Sequence, residues 1–274
     1  MEIIKNTLNV GVENPFTFLV ITDVHLSETD ERDSEERQEF ARGRKACFSY
    51  APRFLEEVEA YVKETGYPLF NTGDMLDFIT PENIRIAREF AEKTDMVLAT
   101  GNHEYWHCPK NRFSFDDVPE TYEGKNRSLA LVESELGMDI RFTCREIGGV
   151  NFVCMDDGDY DIDEDIFQKL LEVEAEGLPI LLFMHIPLYS EHLGNEAKYS
   201  LCAPDEYFEN CHPVDVFERR PEEPTWAMVE HIRNSPLIKC VLCGHTHHNA
   251  EILGMGEKDQ IITGCDTIRQ ITVI

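Results

Sequence analysis

The sequence predicts an α/β fold, and three observations support this class. Short apolar runs indicate buried strands, and amphipathic stretches between them indicate helices. Strands and helices alternate along most of the chain, before strands pair at its end. The length of 274 residues suffices for one large domain or two small ones. Because no repeat, low-complexity tract or linker interrupts the pattern, we expect a single domain over residues 1–274.

The strands are predicted from apolar runs bounded by Gly, Pro or polar residues, the usual composition of short buried strands. The run before Thr100 is typical of them, since four apolar residues precede a turn with Gly101. In chain order, the predicted strands cover residues 16–25 (with the following loop), 68–70, 96–99, 142–144, 150–155, 180–183, 239–242, 260–263 and 270–274.

The helices are predicted from apolar residues spaced three to four apart, with capping residues at their ends. Thr80 is expected to cap a helix that begins at Pro81, because proline is favoured at the first helical position. Gly66 and Gly177 are expected to end two other helices. The predicted helices cover residues 48–66, 81–93, 128–136, 165–176 and 225–234.

Two long segments show no clear periodicity. Residues 27–47 are dense in Asp, Glu and Arg, and residues 188–223 are rich in aromatic side chains. Loops of this length are uncommon unless they are functional or disordered, and the aromatic content of the second argues against disorder. We expect two irregular inserts next to a site, of which the second shapes its pocket as a cap. For the first, a solvated loop or helix face is favoured, and a lid at the rim of the site is the alternative.

Five of the predicted strands are followed by side chains of the types that bind metal ions. In α/β folds, functional groups collect in the loops beyond the carboxyl ends of strands. Carboxylate, amide and imidazole ligands without cysteine suit Zn, Fe or Mn, and seven such groups suit a pair of ions about 3.5–4 Å apart. We expect the five histidines outside these motifs to have ordinary core or surface roles: His107, His192, His212, His231 and His248. The candidate ligands are Asp23, His25, Asp74, Asn102, His185, His245 and His247.

In chain order these motifs read D-x-H, G-D, G-N-H-E, H and G-H-x-H, and they resemble the calcineurin-like metallophosphoesterase family. The resemblance implies two facing mixed β-sheets flanked by helices, with the site at one sheet edge. It also implies how the ligands divide: Asp23, His25 and His247 on one ion, Asn102, His185 and His245 on the other, and Asp74 between them.

The resemblance further implies hydrolysis of a phosphate ester by a hydroxide that bridges the two ions. His103 is the candidate general acid, because it adjoins Asn102 but is not assigned to an ion. Asn102 and His103 are both expected to contact the substrate. Glu104 is expected to orient His103 or the loop. Asp156 and Asp157 are expected to cap a turn rather than to touch the substrate.

The net charge of −28 bears on the substrate. Long nucleic acids require basic tracks that neutralise phosphates, and none is visible in the sequence. The excess of acidic over basic residues favours a small phosphomonoester or phosphodiester as the substrate. Two alternatives stay open: a non-catalytic binding scaffold with the same fold, and a metal-dependent nuclease on short oligonucleotides. The identity of the ions and the oligomeric state are also open.

Composition and segment patterns suggest the compartment. No apolar run approaches the roughly 18 residues that a membrane span needs, and the first residues lack the pattern of a signal peptide. The nine cysteines show no framework spacing, which fits a reducing environment. We therefore expect a cytoplasmic protein, in which Cys240 and Cys243 are buried structural thiols on opposite faces of a strand.

Overall fold

Two mixed β-sheets and the helices around them form the structure, a computed structural model that describes residues 1–106, 122–204, 221 and 223–274. The strands in these ranges are β1 (Glu2–Leu8), β2 (Phe16–Ile21), β3 (Leu69–Asn71), β4 (Val97–Leu98), β5 (Phe142–Ile147), β6 (Val150–Met155), β7 (Ile180–Phe183), β8 (Ile238–Cys243), β9 (Ala250–Ile252), β10 (Gln260–Ile262) and β11 (Thr267–Val273). The helices are α1 (Glu35–Cys47), α2 (Ala51–Thr65), α3 (Pro81–Thr94), α4 (Tyr122–Leu136), α5 (Glu164–Glu174) and α6 (Glu223–Asn234), with a 3-10 segment at Glu191–Tyr199.

The first sheet has five strands in the order β1-β11-β2-β3-β4, and the second has six in the order β5-β6-β7-β8-β10-β9. In the first sheet, β2, β3 and β4 are parallel to one another and antiparallel to β11. In the second, β6, β7, β8 and β10 are parallel, and the edge strands β5 and β9 are antiparallel. The predicted architecture of two mixed sheets is therefore confirmed.

The sheets face each other across a core of aromatic side chains. Phe18 and Phe70 come from the first sheet, and Phe152 and Phe183 from the second. The Phe70 ring stacks on both Phe152 and Phe183, with centroids 5.0 Å and 4.6 Å away. Such offset aromatic pairs stabilise a core beyond the area they bury.

Helices cover the outer face of each sheet. Helices α2, α3 and α4 bury residues such as Phe54 and Ile84 against the first sheet. Helices α5 and α6 bury residues such as Ile166 and Ile232 against the second. The parallel strands β2, β3 and β4 of one sheet and β7 and β8 of the other thus have covered faces, and the loops after them hold the predicted ligands.

The segment 27–47 was expected to be irregular, but most of it forms α1. The Ser34 side chain caps this helix by accepting a hydrogen bond of 3.3 Å from the Arg37 amide. Acidic residues in its first turn and basic residues in its last turn complement the helix dipole. The sequence pattern missed it because Ala41 is its buried residue, which leaves no apolar stripe.

The structure also adds two strands, β1 and β9, that the sequence pattern did not predict. Strand β1 runs parallel to β11, with Glu2 opposite Thr267, so its pairing partner lies at the far end of the chain. Helix α2 begins at Ala51 rather than residue 48, because Phe48 ends α1. In the second expected insert, residues 191–199 form the 3-10 segment, and residues 205–220 and 222 lie outside the described residues.

Cys240 and Cys243 are free and buried on opposite faces of β8. Cys240 belongs to the core between the sheets, and Cys243 belongs to the core under α5 and α6. Their interpretation as structural thiols is therefore confirmed. Among the helices that the structure describes, none combines the length and the apolar composition that crossing a bilayer requires.

Replacement of Phe18 by alanine tests the core between the sheets. Its ring is fully buried and lies 4.9 Å from that of Phe152. We expect Phe18→Ala to lower the free energy of unfolding by about 3–5 kcal/mol, because a cavity remains where the ring packed. Equilibrium urea unfolding measures this loss. Leu131→Ala, at a side chain that is 43% exposed, is the control and should change stability by less than about 0.5 kcal/mol. Equal losses in the two variants would contradict the core assignment.

Candidate metal centre

The loops after parallel strands of both sheets meet at one end of the molecule, and they bring all seven predicted ligands together. The loop after β2 carries Asp23 and His25, and the loop after β3 carries Asp74. The loops after β4, β7 and β8 carry the rest: Asn102, His185, His245 and His247. Residues that lie far apart in the sequence therefore form one cluster, as the motifs predicted.

A first group consists of Asp23, His25 and His247. The two imidazole Nε2 atoms lie 3.1 Å apart. The Asp23 Oδ1 atom lies 3.4 Å from Nε2 of His247 and 3.7 Å from Nε2 of His25. Three potential ligand atoms thus surround one point, within 4.8 Å of one another. His247 is the exposed member, while Asp23 and His25 are buried.

A second group consists of Asn102, His185 and His245. The Asn102 Oδ1 atom lies 3.0 Å from His185 Nε2 and 3.0 Å from His245 Nδ1. These two nitrogens are 3.3 Å apart. The group therefore offers one amide oxygen and two imidazole nitrogens at mutual distances similar to those of the first group.

Asp74 lies between the two groups. Its Oδ2 atom is 3.6 Å from His25 Nε2 and 3.2 Å from His185 Nε2. Its Oδ1 atom accepts a hydrogen bond of 2.9 Å from the His103 amide. One oxygen of a single carboxylate thus faces both groups, and the other oxygen is held by the backbone of the G-N-H-E motif.

The donor set fits cations. His185 Nδ1 donates to the Thr72 carbonyl at 2.9 Å, so its Nε2 atom faces the oxygens of Asp74 and Asn102 with a lone pair unless it takes up a second proton. Among the described residues, Asp23 Oδ1 has no hydrogen-bond partner although it is buried, whereas Oδ2 of the same carboxylate accepts from Thr22 and from the His245 amide. A buried carboxylate oxygen without a partner is costly, and a bound cation removes this cost.

The electrostatics of the site also favour positive charge. Burial lowers the pKa of His185, but the nearby carboxylates, Asp74 foremost, together outweigh it and raise that pKa to about 10. The pKa of His25 is raised to about 9 because Asp23 and Asp77 outweigh burial. Conversely, burial raises the pKa of Asp74, but His185 and His103 hold it well below its usual value. His25 and His185 therefore take up protons more readily than free imidazoles, and metal ions bound at these nitrogens would compete with those protons.

Asp77 is a site residue that the sequence interpretation missed. Its Oδ1 atom lies 3.1 Å from His25 Nδ1 and 3.2 Å from His103 Nδ1. Arg44 of α1 binds both of its carboxylate oxygens, at 2.6 Å and 2.5 Å. Burial raises the pKa of Asp77, but Arg44 and the two histidines hold it far below its usual value. The only signal was its place three residues after Asp74 in the same loop.

The insert helix α1 thus reaches the site. Its last turn supplies Arg44, and the Phe48 that ends it stacks on the His25 ring with centroids 4.1 Å apart and planes at 16°. The Arg44 guanidinium lies 4.9 Å from the centroid of the Phe48 ring. These contacts place the end of α1 at the rim of the first ligand group.

His103 is buried beside both groups. Its Nδ1 atom lies 2.7 Å from the Asp77 carbonyl, which only accepts, so Nδ1 carries a proton and donates it. Its ring packs on Trp106 with centroids 3.7 Å apart and meets the His25 ring edge-on at 4.7 Å. This packing and hydrogen bond set the orientation of the ring, and they leave Nε2 as the nitrogen that can exchange a proton.

Glu104 orients the loops rather than His103. Its carboxylate accepts from the amides of Asp74 at 2.9 Å, Gly101 at 2.7 Å and Leu76 at 3.1 Å. Burial, reinforced by the charge of Asp74, raises the pKa of Glu104 to about 7. Glu104 therefore joins the loop of Asp74 to the loop of Asn102.

Asp156 and Asp157 have different roles. Asp156 accepts from the Gly158 amide at 3.1 Å, and this confirms its predicted role as a cap of the turn. Asp157 instead accepts from the amides of His185 at 2.8 Å and Ile186 at 3.0 Å. The role of Asp157 as a support of the His185 loop was not predicted, because it depends on a contact between the loops after β6 and β7.

The ligand loops adopt strained backbone conformations. Five of the seven candidate ligands have positive φ angles, and such outliers in non-glycine residues cluster at functional sites. Close packing requires glycine beside them. A Cβ atom at Gly101 would lie 2.3 Å from Asp74 Oδ1, and one at Gly244 would lie 1.9 Å from Thr22 Oγ1. The five strained ligands are Asp23, His25, Asp74, His245 and His247.

Two solved structures are similar to this chain, and the first of them supports the fold. A candidate 5′-nucleotidase from Staphylococcus aureus is similar to this chain with a TM-score of 0.51 and 13% identity, over 94% of this chain. The chain spans about half of that protein, since the match covers 51% of it. A dimetal phosphatase from Danio rerio matches with a TM-score of 0.45 and 14% identity, over 92% of this chain and 88% of the other. No curated protein sequence matches the chain.

The sequence profile of the calcineurin-like phosphoesterases matches residues 16–249. This range begins at β2 and ends in the loop after β8, so it contains all five ligand loops described above. The match covers most of the 274 residues. The chain therefore belongs to the calcineurin-like phosphoesterase family.

Proposed function

We propose that this protein is a dinuclear metal-dependent phosphoesterase that hydrolyses a small phosphomonoester or phosphodiester. The observation that carries the proposal is the pair of ligand groups on either side of Asp74, whose Oδ2 atom lies within 3.6 Å of an imidazole nitrogen of each group. Family membership supports phosphoester hydrolysis as the chemistry.

In this proposal each ligand group holds one ion, and Asp74 binds both. The donor set of imidazole, carboxylate and amide groups suits Mn, Fe or Zn. When bound, the two ions supply positive charge to the phosphate oxygens and make a water molecule acidic enough to act as the nucleophile near neutral pH. Asp23, His25 and His247 would hold the first ion, and Asn102, His185 and His245 the second.

His103 is proposed as the general acid that gives a proton to the leaving oxygen. Three observations support this role. Its Nδ1 atom is committed to the Asp77 carbonyl, its ring is held by Trp106, and one of its nitrogens lies within 4.8 Å of ligand atoms of His25 and Asp74. The Nε2 atom is then the one that transfers the proton. Asn102 and His103 are proposed to contact the substrate together.

The charge of the protein supports a small substrate. Its net charge of −28 repels a nucleic acid, whose binding depends on neutralising many phosphates. A dinuclear site would supply local positive charge that is sufficient for one phosphate ester. The complete ligand set and His103 argue against a scaffold without turnover. No observation favours a nuclease or a scaffold over the small-ester hydrolase.

Metal analysis of Asp74→Asn tests the bridging role. We expect close to two ions per wild-type chain. Without the shared carboxylate, we expect fewer ions and a loss of turnover of more than about 100-fold, the upper range for removing even an outer partner of a ligand. Inductively coupled plasma mass spectrometry and ester hydrolysis measure both. Asp95→Asn, at an 87% exposed carboxylate, makes the same charge change and should affect neither. Two ions retained by Asp74→Asn would contradict the bridge.

The variant His103→Ala should lose turnover but keep its bound metal. We expect metal content close to wild type and turnover lowered by about 10²–10⁴-fold, the usual contribution of general acid catalysis. The loss should be smaller for a p-nitrophenyl ester than for an alkyl ester, because a good leaving group needs less protonation. His192→Ala, at a 52% exposed imidazole, is the control. Loss of both ions from His103→Ala would show that His103 is a ligand rather than the acid.

Hydrolysis of p-nitrophenyl phosphate and of bis-p-nitrophenyl phosphate, with Mn, Zn or Fe added, tests the activity class. Turnover with two bound ions would establish the enzyme, and the preferred ester would decide between monoesterase and diesterase. A short oligonucleotide assayed in parallel tests the nuclease. Two bound ions without turnover on any of the three would favour the scaffold, and absence of bound metal from the wild type would overturn the proposal.

A further inference from the structure

The outer nitrogen of His245 is held by a residue outside the five ligand motifs. His25 and His185 direct their Nδ1 atoms to Asp77 and to the Thr72 carbonyl, both in the loop after β3. His245 instead has its Nε2 atom 2.6 Å from the hydroxyl of Tyr160, which is 5% exposed. Tyr160 lies in the loop between β6 and α5, and none of the predicted ligands comes from that loop.

The same loop contacts the other two members of the second ligand group. Asp157 accepts from the amide of His185. Gly158 packs so closely on the Asn102 loop that a Cβ atom there would lie 2.5 Å from the Gly101 carbonyl oxygen. Residues 157–160 therefore touch the loops or side chains of all three members, which makes this segment a common support for the second group.

The conformation of Tyr160 is strained. Its φ angle is +61°, a left-handed value that aromatic residues rarely adopt. The Tyr160 amide donates to the Asp157 carbonyl at 3.0 Å, and Thr225 of α6 accepts from the Ile162 amide at 3.1 Å. These contacts hold the tyrosine in a conformation that costs free energy, and such strain persists where surrounding structure imposes it, often at functional sites.

The hydroxyl of Tyr160 suits the chemistry of a ligand histidine. A histidine that binds an ion through Nδ1 must carry its proton on Nε2, and that proton needs an acceptor. A phenol oxygen accepts this hydrogen bond, and it can also donate one to Nε2 when the proton lies on Nδ1. Tyrosine therefore satisfies His245 both with and without a bound ion, which phenylalanine cannot do.

We propose that Tyr160 is the positioning residue of the second ion site: its hydroxyl sets the tautomer and the ring orientation of His245. This inference rests on the proposed function, because it requires an ion in the second ligand group. Tyr160 acts through His245 and is not itself a ligand or a catalytic residue.

Tyr199 offers a matched control. Its ring also meets the His245 ring edge-on, with centroids 6.4 Å apart and planes at 81°, compared with 5.5 Å and 80° for Tyr160. Among the contacts of the described residues, the hydrogen bond to His245 Nε2 comes from Tyr160 and not from Tyr199. Removing one hydroxyl or the other therefore separates the hydrogen bond from aromatic contact.

Titration of chelator-treated protein with Mn²⁺ alone, followed by calorimetry, tests the inference. We expect the wild type and Tyr199→Phe to bind two ions with the same affinities. Tyr160→Phe should bind the first ion as the wild type does and the second about 10- to 100-fold more weakly, the usual effect of losing an outer partner of a ligand histidine. The turnover of Tyr160→Phe should fall in parallel with occupancy of the second ion site. Saturating Mn²⁺ should restore part of this turnover.

If Tyr160→Phe does not fold, a spectroscopic measurement on the wild type tests the same inference. In Zn²⁺-loaded, ¹⁵N-labelled protein, His245 should show a slowly exchanging Nε2 proton with a nuclear Overhauser effect to the Tyr160 ring. Absence of that signal would overturn the inference. So would wild-type affinity for both ions in a folded Tyr160→Phe variant. A wild-type chain that binds fewer than two ions would overturn the proposed function, and this inference with it.

Discussion

The convergence of electron-rich atoms on the Asp74 carboxylate is the constraint on which the rest of the site depends. Its Oδ2 atom faces the Nε2 atoms of both His25 and His185, and Asp23 Oδ1 nearby finds no hydrogen-bond partner within the part of the chain that the structure describes. Such an arrangement is unfavourable unless positive charge lies between the groups, as protons or as metal ions. The folded state tolerates it because two sheets, packed through an aromatic core, hold the ligand loops together.

Buried carboxylates behind the ligands stabilise these loops. Asp77 connects His25 and His103 to Arg44 of α1, Glu104 ties the Asp74 loop to its neighbour, and Asp157 holds the His185 loop. Each accepts hydrogen bonds from more than one partner, which offsets the cost of burying a charge. The geometry of the candidate ligands therefore depends on a layer of acidic residues that are not themselves candidate ligands.

Some elements of the fold could be predicted from the sequence and others could not. Periodicity and caps located α3 and β6, because Thr80 and the apolar run of β6 are local signals. Helix α1 was missed because polar contacts, such as the ion pair of Arg44 with Asp77, hold it in place instead of an apolar stripe. Strand β1 was missed because its partner β11 lies at the other end of the chain, and local propensity does not encode such a pairing.

The sequence by itself determined the types of the candidate ligands and their placement at strand ends, because both are read from local motifs and parallel strands deliver such residues at one edge. Only the tertiary structure decided which atoms meet. It selected Asp77 as the partner of His103, Glu104 as a support of loops, and Tyr160 as the partner of His245. These roles arise from contacts between residues 26 to 85 positions apart in the chain. These roles are set by distances in space, and such distances depend on how the two sheets pack.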